Sequence, residues 1–63
     1  MHPATEHIVK FFAFDHLPER LQSISRPFRD LAEEVAARGD NPETTVALRK
    51  LLEAKDAAIR AAL

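Results

Sequence analysis

The chain has 63 residues, 46% of them hydrophobic, with nine Lys and Arg against ten Asp and Glu, a net charge of −1. A domain this small buries only about 60% of its unfolded surface, and with no cysteine it has neither disulfides nor thiolate metal sites to compensate. The charge balance argues against a duplex-DNA binder, which needs a basic excess to neutralise phosphates, and no run approaches the ~20 apolar residues of a membrane span. What remains is a soluble, cytoplasmic protein expected to gain stability by self-association.

One glycine and abundant alanine make the composition helical. The opening stretch HPATEHIVKFF predicts a short helix over about 4–13, with Pro3 near its start. It should end before Pro18, because the residue preceding a proline disfavours helical dihedrals.

A second helix is predicted over about 18–38, with Pro18 at its first position. Leu17, Leu21, Ile24, Phe28, Leu31 and Val35 recur at alternating spacings of four and three, a continuous heptad seam. Pro27 interrupts one backbone hydrogen bond there, so a kink is expected near Ser23 to Pro27, with Ser25 as a local cap. Gly39 supplies the stop. Asn41 and Pro42 open the third helix, over about 42–62. So short a connection joins antiparallel neighbours, making the last two helices a hairpin.

The third helix carries two stripes. Leu48, Leu52, Ile59 and Leu63 form one; Ala47, Leu51, Ala54, Ala58 and Ala61 form the other, mostly small and suited to close contact with another copy. Arg49 with Glu53, and Asp56 with Arg60, are spaced to pair on the solvent side.

Little in the chain is catalytic. His2, His7 and His16 lack the spacing of a helical metal pair, one glycine cannot make a phosphate loop, and Ser23 and Ser25 have no histidine–carboxylate partners in view. No enzyme activity, cofactor or metal is expected. Binding has better material. The stretch FFAFDHLP, residues 11 to 18, holds three of the four phenylalanines. Phe11, Phe12 and Phe14 are either contact surface for a neighbouring subunit or flat faces for a base. Arg26 and Arg29 lie outside the seam of the second helix and present forks suited to phosphate.

The order of motifs resembles a known family. FAFDHLP at 12 to 18, RDLAEEV at 29 to 35 and NPETTVALRKLLEAKDAAI at 41 to 59 are similar to the second family of anti-CBASS sponges. These small phage proteins soak up cyclic oligonucleotide signals and share a helical-hairpin domain with some anti-Thoeris sponges. The resemblance implies a non-enzymatic protein, built from interlocked dimers into an oligomer, typically a hexamer. It implies pockets between subunits that hold cyclic dinucleotides, and in some members trinucleotides. By position, Phe14 matches the aromatic that stacks on a base and Arg29 the basic residue that meets phosphate. His16, in the His-Pro-like step, and Arg26 join them as candidate ligand residues. Phe11, Phe12, Leu51, Ala54 and Ala58 are the candidates for the oligomer interface. The rival expectation is an oligomerisation or protein-interaction module with no small-molecule ligand.

Overall fold

The computed structural model describes residues 3–63, and every regular element among them is helical. His2 lies outside the described residues. Helix α1 spans Pro3–Val9, a 3-10 turn follows over Lys10–Phe12, α2 spans Glu19–Ala37 and α3 spans Pro42–Ala61. The three helices pack on one another, with α2 against α3 the most extensive contact.

The first helix is shorter than the pattern suggests. Its α pitch ends at Val9, and Ala13 is already extended (φ −59°, ψ 139°) with its N–H bonded to the Lys10 carbonyl. The stretch Ile8 to Phe12 contains β-branched and aromatic residues, which lose side-chain freedom against a preceding helical turn. The tighter turn leaves Phe12 fully buried. A bend over 14–17 follows, closed by Leu17 N–H to the Phe14 carbonyl at 3.0 Å. The Gln22 amide then reaches back to the Leu17 carbonyl at 2.8 Å and the Asp15 carbonyl at 3.3 Å.

Pro18 stands at the N-cap of α2 rather than inside it, and its carbonyl accepts from the N–H groups of Leu21 and Gln22. The helix runs through Pro27 without a break. Ser25 does not cap anything: its hydroxyl is fully buried and has no hydrogen-bond partner. An unsatisfied buried hydroxyl costs roughly 1–3 kcal/mol. Ser23 bonds locally instead, to the Arg20 carbonyl at 2.9 Å. Gly39 is not in the left-handed region, so it ends α2 without the conformation that favours glycine. The restart is well defined. Asn41 is extended, and its side-chain oxygen accepts from the N–H groups of Glu43 at 2.9 Å and Thr44 at 3.1 Å.

The buried side of α2 is not centred on the heptad seam. Leu21, Ser25, Ala32 and Ala36 are buried, whereas Leu31 is 46% exposed. At 100° per residue, the buried line is turned from the seam by roughly 70°. The reason is Phe12. Its ring belongs to a cluster with Ile8, Ala32, Ala36 and Leu48, flanked by Phe28, Val35, Leu51 and Leu52. A large ring packs closely where α2 presents small side chains. Phe12, expected between copies, has its side chain enclosed by its own chain. Leu51, also expected at a subunit contact, is half-buried against that same core.

Candidate functional site

The segment from Lys10 to Phe14 forms a ridge with a hollow on each side, one facing α2 and the other α3; Lys10 and Ala13 line both.

On the α2 side the bend after the 3-10 turn lays Phe14 beside two arginines three residues apart, a spacing that makes side chains neighbours on a helix. The guanidinium carbons of Arg26 and Arg29 stand 5.1 Å and 5.5 Å from the centre of the Phe14 ring. Both distances lie within cation–π range, where each contact contributes about 0.5–1 kcal/mol at exposed sites. Arg29 also donates from Nε to the Glu33 carboxylate at 2.8 Å. Phe14 is consequently only 9% exposed. A cavity of about 150 Å³ opens beside it, bounded by Lys10, Asp15, Arg29 and Glu33 among others. Three of the four candidate ligand residues thus come together: Phe14, Arg26 and Arg29. His16 lines the hollow on the other side.

On the α3 side the groove is larger, about 430 Å³, and lined by Lys10, Phe11, His16, Lys55, Asp56 and Arg60 together with apolar groups. Phe11 remains 55% exposed, its ring at an edge-on 85° to His7 with 5.4 Å between centres. Lys55 organises this side. Its side chain is 12% exposed, its Nζ donates to the Phe11 carbonyl at 2.8 Å and meets Asp56 at 3.2 Å, and it stands 6.0 Å from the centre of the Phe12 ring. Lys55 was missed in reading the sequence, although a signal was present. The stripe Leu48, Leu52, Ile59 skips one position of its four-three rhythm, and Lys55 occupies the gap.

The expected ion pairs of α3 are not the observed ones. Glu53 pairs with Lys50 at 3.6 Å and Asp56 with Lys55, not with Arg49 and Arg60. Of the remaining interface candidates, Phe11 and Ala54 are exposed and Ala58 is half-buried. Leu31 and Val46 add exposed apolar surface at 46% and 43%. Among the described residues no helix is long and apolar enough to cross a membrane, and no three His, Asp or Glu side chains gather as metal ligands.

No protein-family model, no curated protein and no solved structure matches this chain.

Proposed function

We propose that the chain is a non-enzymatic sponge for cyclic oligonucleotides, cyclic dinucleotides foremost, which it holds in a bacterial host cell to blunt an anti-phage immune signal. The observation that carries this reading is the placement of both Arg26 and Arg29 within 5.5 Å of one aromatic ring. A base needs a flat face and its phosphate needs cationic donors, and the Phe14 cluster holds both within one short reach. The resemblance of FAFDHLP, RDLAEEV and ALRKLLEA to the sponge family supports the same assignment.

In this reading α2 and α3 are the antiparallel hairpin of that family. Copies meet through Ala54 and Ala58, with Leu31 and Val46, as dimers that build a larger oligomer such as a hexamer. Capture proceeds by exchange. A base displaces guanidinium from the Phe14 ring, and Arg29 leaves Glu33 for a phosphate oxygen, where its fork makes two charge-assisted bonds. The contacts given up are small, since the Arg29–Glu33 pair is a solvent-exposed pair of the kind worth about 0.3–0.5 kcal/mol. Stacking contributes about 1–3 kcal/mol per base.

Calorimetric titration with a panel of cyclic di- and trinucleotides tests the proposal. Heat is expected with at least one member and is lost in Phe14→Ala and Arg29→Ala. A silent panel retires the reading. The shielding of Phe14 favours a second reading, an interaction module in which the ring only holds the fold together. In that case Phe14→Ala lowers stability and no cyclic nucleotide binds the unaltered chain.

A further inference from the structure

The groove facing α3 differs from the Phe14 cluster in one respect: two of its cations are unspent. Lys10, Lys55 and Arg60 oppose Asp56, an excess of +2 before His16 is counted. The whole chain carries −1, so everything outside those four residues sums to −3 (−1 minus +2). The groove is a positive spot on an otherwise negative chain. Asp56 is already held by Lys55, and among the described residues Lys10 and Arg60 have no ion pair. Phe11 offers an open ring at the rim, and Leu17 and Ile59 add apolar lining. The volume of about 430 Å³ is of the size that ligand pockets take. All of these groups come from one chain, and the Lys55 bond to the Phe11 carbonyl fixes the two walls relative to each other.

We propose that this groove is a binding site for an aromatic phosphomonoester of mononucleotide size, with its ring on Phe11 and its phosphate between Lys10 and Arg60. A phosphomonoester carries about −1.5 to −2 at neutral pH, which matches the lining, whereas a cyclic phosphodiester carries one charge per phosphate. The site is independent of the Phe14 reading, because it uses another ring, another arginine and another helix.

The test is amide-resolved NMR of the full chain titrated with AMP, with adenosine and cyclic 3′,5′-AMP as comparators. Saturable shifts are expected at 10–17 and 55–60, larger for AMP than for either comparator. Arg60→Gln and Phe11→Ala each weaken AMP binding about fivefold or more, the loss of one charge-assisted or stacking contact. Arg29→Gln leaves it unchanged. Arg60 is exposed and has no ion pair among the described residues, so its replacement does not endanger the fold. Shifts centred on 26–33, an equal response to adenosine, or an Arg60→Gln variant that binds AMP as well as the parent each overturn the assignment. So does a Phe11→Ala variant that dissociates an oligomer while AMP perturbs no residue of the groove.

Discussion

The two sides of the Lys10–Phe14 ridge hold the same ingredients in opposite states. Facing α2, an aromatic ring lies under two arginines, one of them already bonded to a carboxylate, beside a hollow of about 150 Å³. Facing α3, an aromatic ring stands open beside an arginine and a lysine with no ion pair among the described residues, over a groove of about 430 Å³. The difference arises from which partner each cation has within reach. Glu33 sits four residues after Arg29, whereas the carboxylate nearest the other side is claimed by the half-sunk Lys55. A ring next to arginines is therefore not yet a binding surface. It becomes one only where exchange with a ligand gains more than the internal contacts give up.

The strongest way to break the comparison is to remove the ridge itself. Phe12→Ala leaves a cavity among Ile8, Ala32, Ala36 and Leu48 and should cost about 3–5 kcal/mol. For a chain of this size that amounts to global unfolding, visible as lost helical circular dichroism. Next come the two flanking rings. Phe14→Ala should lower stability by about 2–3 kcal/mol, since it removes a nearly buried ring and both cation–π contacts. Phe11→Ala should lie within about 0.5 kcal/mol, as befits an exposed surface position. Chemical denaturation of the two variants side by side checks this, and equal losses would erase the distinction between the flanks. The mildest change is Glu33→Gln. It frees Arg29 at a cost below about 0.5 kcal/mol and makes the α2 side resemble the α3 side. Cyclic dinucleotide affinity, where calorimetry detects it, should then rise, because Arg29 no longer has to leave a carboxylate.

Local chemistry was easier to read from the sequence than the assignment of faces. The helical class follows from alanine content and the scarcity of glycine, and the Asn41 cap follows from hydrogen-bonding capacity alone. The heptad seam of α2 was real as a pattern but lies at one edge of the buried face: Leu21 is buried, Phe28 and Val35 pack against the core, and Leu31 is exposed. Periodicity reports where the large apolar residues lie, not where a third element lands. Phe12 lands on Ala32 and Ala36, residues too small to register as a core stripe. The same limit applies to the candidate site. Phe14, Arg26 and Arg29 are legible because aromatic and guanidinium groups are conspicuous. Lys55 is not, because a lysine inside an apolar stripe reads as a gap until its ammonium is seen holding the Phe11 carbonyl.

Lys10 and Ala13 border both hollows, so the amino-terminal segment is a partition with a room on each side. A seven-residue helix has little persistence of its own, and that partition stays upright through the Phe12 ring and the Lys55 bond beneath it. Whatever tilts it reshapes both rooms at once. A substitution that loosens the Phe12 anchor therefore changes the lining of both rooms, not of one alone.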